Sequence, residues 1–173
     1  MSDTEFKVEI PALTNPWPSD FEMTEQEMVD FNLEHARKFL EGDIDGIMEQ
    51  SLIDVPVWEF YPNRIRLTGK EAVRRYHEIN YKVVIEQVDP RTHGEDTREF
   101  YSHTSGPNVI SHEFSCMMHM KNGTSFRGYF LAVIPYQNGR MVGERVWMDK
   151  CTAEWFEESF DRAFFTIPGV ERF

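Results

Sequence analysis

The sequence predicts an α+β domain in which a curved, mixed and mainly antiparallel sheet packs on N-terminal helices and is followed by a C-terminal helix. Three observations favour this fold class. Helical patterns fill the first part of the chain, strand patterns follow from residue 83, and Asn-Gly pairs at 122–123 and 138–139 separate neighbouring strand patterns. Helices followed by a run of strands are typical of α+β folds, and Asn-Gly between apolar runs is a hairpin signal.

Capping signals locate the predicted helices. A Thr-x-x-Glu capping box starts the first helix at Thr24, and Gly42 ends it. A second, short helix follows from Asp43. The same box at Thr68 predicts the start of a third helix, and aromatic residues at helical spacing predict a final amphipathic helix near Thr152.

Six segments are predicted as strands. They are Val55 to Tyr61, Val83 to Val88, Glu99 to His103, Val109 to Met120, Ser125 to Tyr136 and Met141 to Asp149. Short turns join the segments from Glu99 onward, which predicts an antiparallel meander.

Length and charge limit the possible functions. A chain of 173 residues suits one domain, and we expect an extended arm over residues 1–23 followed by a single domain over residues 24–173. The formal net charge of −12 argues against nucleic acid or an anionic membrane as a partner, because phosphate binding needs a basic surface. No targeting pattern or membrane-spanning run is visible, so we expect a cytoplasmic protein whose two cysteines stay reduced.

Four segments carry a resemblance to a known family. They are Val57 to Pro62 (VWEFYP), Leu67 to Val73 (LTGKEAV), Arg127 to Leu131 (RGYFL) and Gly139 to Asp149 (GRMVGERVWMD). In order and spacing they resemble the nuclear-transport-factor-2-like (NTF2-like) superfamily, in its SnoaL-like (polyketide cyclase) branch, with some similarity to phenazine-biosynthesis A/B proteins. The resemblance covers roughly residues 24–151.

This resemblance implies a cone-shaped domain whose sheet curls around a pocket and which often forms a homodimer. Members of the superfamily include isomerases, lyases such as dehydratases and cyclases, epoxide hydrolases and binding modules, so the fold alone does not settle the function. The chain departs from the known catalytic sets. Val146 aligns with the strand glutamate of phenazine-type proteins and Tyr76 with their helix-3 histidine, whereas Glu59 aligns with the base of steroid-isomerase-like members.

His112 is the most informative candidate for chemistry. The period of two in its strand places it with Ile110, Phe114 and Cys116 on the more apolar face, which should look inward. An imidazole in an apolar pocket can act as a general acid or base near neutral pH. The alternative is a core histidine that only hydrogen-bonds a backbone or carboxylate group.

Two carboxylates are candidates to exchange protons with His112. Glu59 lies between Trp58 and Phe60, and desolvation there would raise its pKa; the alternative is a glutamate paired with an arginine at the rim. Glu144 is the second candidate, and its alternative is a solvated position at a strand edge.

The remaining candidates are a third group of catalytic residues and a set of wall residues. Tyr61 or Tyr76 would steady an enolate oxygen, and His77, beside the apolar stripe of the third helix, is a further catalytic candidate that could equally be a core residue. The predicted ligand-binding residues, for which ordinary core positions are the alternative, are Trp58, Tyr76, Phe114, Met118, Phe130 and Met148. No metal-binding, phosphate-binding or dinucleotide-binding motif is present, so we expect neither a metal nor a cofactor.

Two classes of function remain open at this point. The first is a cofactor-independent isomerase, dehydratase or cyclase that moves protons on a small hydrophobic carbonyl or cyclic compound. The second is a non-catalytic module that binds a hydrophobic ligand or serves as a dimeric interaction domain. We expect a homodimer because the outward positions of the meander are unusually apolar for a solvated surface. These positions are Val109, Met117, Tyr129, Leu131, Val133 and Trp147.

Overall fold

A computed structural model describes residues 22–51, 54–93 and 97–173. Its helices are α1 (Glu25–Glu41), α2 (Ile44–Ser51), α3 (Lys70–Gln87) and α4 (Lys150–Glu158), with 3₁₀ turns at Pro90–His93 and Phe164–Thr166. Its strands are β1 (Val57–Tyr61), β2 (Ile65–Thr68), β3 (Arg98–Gly106), β4 (Val109–His119), β5 (Ser125–Gln137), β6 (Arg140–Met141), β7 (Gly143–Met148) and β8 (Val170–Arg172).

The strands form one mixed sheet in the order β3-β4-β5-β7-β1-β2-β8, and β6 pairs with β5. All neighbours are antiparallel except β1 and β7, which run parallel. The predicted meander is therefore confirmed. We call the sheet face that carries Trp58 and Phe60 the inner face, because these buried side chains pack in the core with helix residues such as Met28 and Tyr76, and the opposite face the outer face.

Local signals in the sequence account for the first helix and for the hairpin between β5 and β6. The Thr24 hydroxyl accepts a hydrogen bond from the backbone N–H of Glu27, whose carboxylate accepts one from the N–H of Thr24, and Gly42 ends the helix with a φ of 74°. Asn138 and Gly139 both have positive φ, as the tight turn between β5 and β6 requires.

The structure corrects two of the predicted elements and adds two strands. Residues 83–87 of the predicted strand Val83 to Val88 form the last part of α3, because the apolar side chains of this helix continue at helical spacing, and Val88 follows as its extended C-cap. Thr68 belongs to β2, so the N-cap of α3 is Gly69, which has no side chain to form the expected capping box. The short strands β2 and β8 are additional to the predicted ones.

Of the two predicted terminal segments, the structure describes the C-terminal helix but only the end of the N-terminal arm. The arm expected over residues 1–23 lies, apart from its last two residues, outside the described residues. The last helix begins close to the expected place, where the Asp149 carboxylate accepts hydrogen bonds from the N–H groups of Cys151 and Thr152. Both cysteines are free thiols, with Cys116 buried and Cys151 exposed. Within the described ranges, no helix is long and apolar enough to cross a membrane.

The parallel pairing of β1 and β7 depends on a glycine. Val57 lies opposite Gly143, and a Cβ atom at Gly143 would stand 1.5 Å from the carbonyl oxygen of Val57. No real contact is that short, so a side chain at this position must push the two strands apart.

We therefore expect Gly143→Ala to lower the free energy of unfolding by about 3 kcal/mol, the upper range for overpacking. Gly106→Ala is the matched control, since its Cβ would meet only the side chain of Val109 at 3.4 Å and should change stability by less than about 1 kcal/mol. Denaturant unfolding measures both values. Equal stability of the two variants would show that the strands tolerate separation.

Candidate active site

A cavity of about 470 Å³ lies between α1 and the inner face of the sheet. Its lining residues come from α1 and from five strands. They are Val29, Asn32, Leu33, His35, Ala36, Arg98, Phe100, His103, His112, Phe114, Ala132, Ile134, Met141 and Glu144. Most of these side chains are apolar, and the polar ones include a carboxyl and three imidazoles.

Glu144 supplies the carboxyl group of the cavity. It pairs across β1 and β7 with Trp58, so both side chains point to the inner face. Glu144 lines the cavity, and no described residue forms an ion pair or hydrogen bond with its carboxyl group. Burial therefore raises the pKa of Glu144 from 4.5 to about 7.

His112 reaches the cavity from β4, as the strand period predicts. Its Nδ1 atom lies 3.1 Å from Nδ1 of His103, its cross-strand neighbour on β3. His103 in turn places its Nε2 atom 3.2 Å from Oε1 of Glu25 in the first turn of α1. Burial, together with the neighbouring His103, lowers the pKa of His112 below 6.5, so its ring is neutral at pH 7.

Glu59 does not reach the cavity, and the expectation that it shares a pocket with His112 is wrong. Trp58 and Phe60 occupy the inner face, which turns Glu59 to the outer face. There its carboxylate accepts hydrogen bonds from Nε of Arg66 at 2.9 Å and Nε of Arg145 at 2.8 Å. Burial acts to raise the pKa of Glu59, but the two arginines outweigh it and the pKa lies below its usual value.

Tyr61 and His77 also lie away from the cavity. Tyr61 shares the outer face with Glu59, to which its hydroxyl donates at 3.3 Å, and it stacks on Trp147 with ring centroids 4.9 Å apart. His77 is buried beneath α3 against Trp58, and neither ring nitrogen has a hydrogen-bond partner within the described ranges. Burial lowers the pKa of His77 to about 3, which keeps it neutral.

Of the six predicted wall residues, the structure brings only Phe114 to the cavity. Trp58 and Tyr76 fill the core beneath α3, and Met118 packs in a second apolar cluster with Val88 and Met120. Phe130 and Met148 lie against the core farther along the sheet. The inner face is longer than the cavity, so an inward position is not sufficient to place a residue in it.

The sequence-based site missed His103, although a signal for it exists. Residues Pro107 and Asn108 form a two-residue turn, so Gly106 pairs with Val109 and each step back along β3 matches one step forward along β4. Counting back from His112 across the turn leads to His103. The contributions of α1, including Glu25 and His35, depend on packing that strand counting does not supply.

A metal centre has no donor set in the part of the chain that the structure describes. Within these residues, no group of three or more histidine, cysteine, aspartate or glutamate side chains converges on one point. His103 and His112 approach each other, but Glu25 contacts the far nitrogen of His103. The arrangement is thus a chain of hydrogen-bonding groups rather than a cluster of ligands.

Comparison with solved structures shows the fold. No family model and no curated protein matches the chain. A proposed isomerase from Bacillus subtilis aligns with a TM-score of 0.55 at 19% identity, over 80% of this chain and 98% of that one. An NTF2-like protein from Burkholderia xenovorans LB400 aligns with a TM-score of 0.56 at 14% identity, over 77% and 97% of the two chains. An LEH-like epoxide hydrolase from M. tuberculosis aligns with a TM-score of 0.53 at 13% identity, over 76% of this chain and 89% of that one.

These similarities define the class of fold. The chain has the NTF2-like fold, an α+β cone with a curved mixed sheet, and the predicted fold class is confirmed. At such identities the neighbours establish architecture, and the chemistry has to be argued from the residues of the cavity itself.

The raised pKa of Glu144 predicts a specific pH dependence of stability. Between pH 4.5 and about 7 the folded protein binds a proton that the unfolded chain has released, so this group destabilises the fold progressively as the pH rises. Glu144→Gln removes the effect. The stability of this variant relative to the parent should therefore increase by about 3 kcal/mol from pH 4.5 to 8.

Denaturant unfolding over this pH range measures the difference. Glu113→Gln is the control, because Glu113 is an exposed carboxylate on the same sheet and its removal should give no such increase. A flat difference for Glu144→Gln as well would mean that the carboxyl group is well solvated.

Proposed function

We propose that this protein is a small-molecule enzyme of the isomerase or lyase type, similar to the SnoaL-like branch of its fold, that moves protons on a hydrophobic carbonyl or cyclic compound without a cofactor. The observation that carries the proposal is the buried carboxyl group of Glu144 in a cavity shared with His112. With a pKa of about 7, Glu144 divides between its two protonation states near neutral pH.

The two groups are suited to complementary roles. His112 is neutral at pH 7 because its pKa lies below 6.5, so it can accept a proton from a carbon next to a carbonyl group. Protonated Glu144 can donate to the carbonyl oxygen as negative charge develops there, or to a departing hydroxyl group. Return of the proton from His112 to another carbon completes an isomerisation, whereas loss of water completes a dehydration.

The walls of the cavity support a compact apolar substrate. Leu33, Phe100, Phe114, Ile134 and Met141 contribute hydrophobic surface, and the volume of about 470 Å³ lies within the usual range for small-molecule sites. A bound compound that displaces water from these walls would strengthen the electrostatic interaction between its carbonyl group and Glu144.

The proposal can be tested on a panel of small cyclic ketones by following exchange of their α-protons for deuterium in ²H₂O by NMR. His112→Gln and Glu144→Gln should each lower the exchange rate by roughly 10²–10⁴, the usual size of a general acid–base contribution. Glu113→Gln is the matched control and should keep the parental rate. It removes a carboxylate from the outer face of the strand that carries His112.

The pH profile provides a second reading of the same experiment. Activity should fall below the pKa of His112, which lies under 6.5, and again above about pH 7 as Glu144 ionises. Glu144→Gln should remove the alkaline decline. Tight binding of a ligand with no exchange in the parent would instead favour a non-catalytic binding module.

The outer face supports a further proposal, that two copies of the chain associate through it. Tyr101, Tyr129, Leu131 and Trp147 are each between 38% and 48% exposed and lie on β3, β5 and β7 of the same sheet. A second copy is the occupant that fits, because a self-complementary sheet face can bury the same apolar residues of both chains. On this face the carboxylate of Glu59 is already paired with Arg66 and Arg145, so association would not bury an unpaired negative charge there.

We expect a particle of twice 20.5 kDa in analytical ultracentrifugation at micromolar concentration. Leu131→Glu places a charge within the proposed interface and should shift the protein toward the monomer. Ile85→Glu is the control, since Ile85 is an exposed apolar residue of α3 away from the sheet face, and it should leave the mass unchanged. A parent that sediments as a monomer would contradict the proposed homodimer.

A further inference from the structure

We propose that Glu25 and His103 are positioning residues that fix the tautomer of His112, so that its Nδ1 atom carries the proton and its Nε2 atom presents a lone pair to the cavity. This inference rests on the proposed function of His112 as the group that accepts a proton there. It adds to that function two residues that do not need to touch the substrate-reacting atoms.

Three elements bring the side chains into line. Glu25 lies in the first turn of α1, His103 on β3 and His112 opposite it on β4. The Oε1 atom of Glu25 is 3.2 Å from Nε2 of His103, and Nδ1 of His103 is 3.1 Å from Nδ1 of His112. The hydroxyl of Ser105 donates to the other oxygen of Glu25 at 2.8 Å, which holds the carboxylate in place.

The chemistry of these groups allows one arrangement of protons when both rings are neutral. An ionised carboxylate can only accept a hydrogen bond, so the Nε2 atom of His103 must carry a proton. The Nδ1 atom of a neutral His103 then has a lone pair and accepts from Nδ1–H of His112. It follows that Nε2 of His112 is unprotonated.

The Nε2 atom of His112 is the ring nitrogen that His103 leaves available to a ligand. His112 lines the cavity, and no described residue forms a hydrogen bond with its Nε2 atom. The other ionisable side chains that line the cavity are His35 of α1, Arg98 of β3 and Glu144 of β7, whereas the hydrogen bond made by the His112 ring is to His103. The tautomer of His112 is therefore determined by His103.

The hydrogen-bonded series of Glu25, His103 and His112 can share the proton that His112 accepts. When Nε2 of His112 takes a proton from carbon, the Nδ1 proton can shift to Nδ1 of His103, whose positive charge then faces the carboxylate of Glu25. The protons balance, since the one that the substrate carbon loses enters at Nε2 of His112, and a second moves between the two Nδ1 atoms. Return of both restores the starting state for the next turnover.

The size of the effect is limited by exposure. The Glu25 side chain is 60% exposed and that of His103 is 33% exposed, so water competes for both groups. We expect Glu25→Ala and His103→Leu to lower kcat by about three- to tenfold, the value of one ordinary hydrogen bond, with little change in KM. Removing His112 itself should cost far more.

The test reads the tautomer directly and needs no substrate. Two-bond ¹H–¹⁵N correlation spectra of the full chain, labelled with ¹⁵N-histidine and recorded at pH 8, distinguish a protonated Nδ1 from a protonated Nε2. The signals of His112 are assigned by their loss in His112→Gln. The parent should show the Nδ1–H tautomer of His112, and both Glu25→Ala and His103→Leu should move it toward the Nε2–H form.

Asp30→Ala is the matched control. It removes an exposed carboxylate from the same helix, hydrogen-bonded to Gln26 rather than to a histidine, and should leave both the tautomer and kcat at parental values. A parent with Nε2–H at His112, or a tautomer that neither variant changes, would overturn the inference whatever the activity. Parental exchange rates in His112→Gln would overturn the proposed function separately, because the tautomer is measured without turnover.

Discussion

The parallel pairing of β1 with β7 is the interaction on which the rest of the structure depends. It joins the N-terminal part of the chain to the end of the meander, and it fixes which side chains of both strands face the helices. Trp58 lies beside Glu144 on the inner face, while Glu59 lies beside Arg145 on the outer face. A shift of one residue in this pairing would place Glu144 beside an outward-facing neighbour and remove the carboxyl group from the cavity.

Two carboxyl groups on adjacent strands consequently have opposite electrostatic surroundings. Glu59 is held by two guanidinium groups, which stabilise its ionised form. Glu144 has no such partner in the described structure, and burial favours its neutral form. The first arrangement contributes a fixed charge network to the outer face. The second leaves a group whose protonation can change near neutral pH, which is what proton transfer requires.

The sequence predicted those features that are local in the chain. The capping box at Thr24 and the turn at Asn138 depend on residues within a few positions of one another, and both are present. The inward direction of His112 followed from the alternation of a long strand. The inward orientation predicted for Glu59 was wrong because both faces of β1 carry large side chains. Only the pairing of β1 with the distant β7 decides which of the two faces looks inward. The cavity itself depends on α1 packing over the sheet, which no local pattern specifies.

The histidines packed around Trp58 make the stability of the whole molecule depend on pH. Burial lowers the pKa of His35 to about 4 and that of His77 to about 3, whereas the unfolded chain binds these protons below about pH 6.5. Stability contributed by both rings is therefore present above pH 6.5 and is lost as the pH falls. Glu144 acts in the opposite sense, since its ionisation opposes folding as the pH rises from 4.5 toward 7. Between pH 4.5 and 6.5 a change of pH therefore alters the stability in opposite directions through the two histidines and through Glu144.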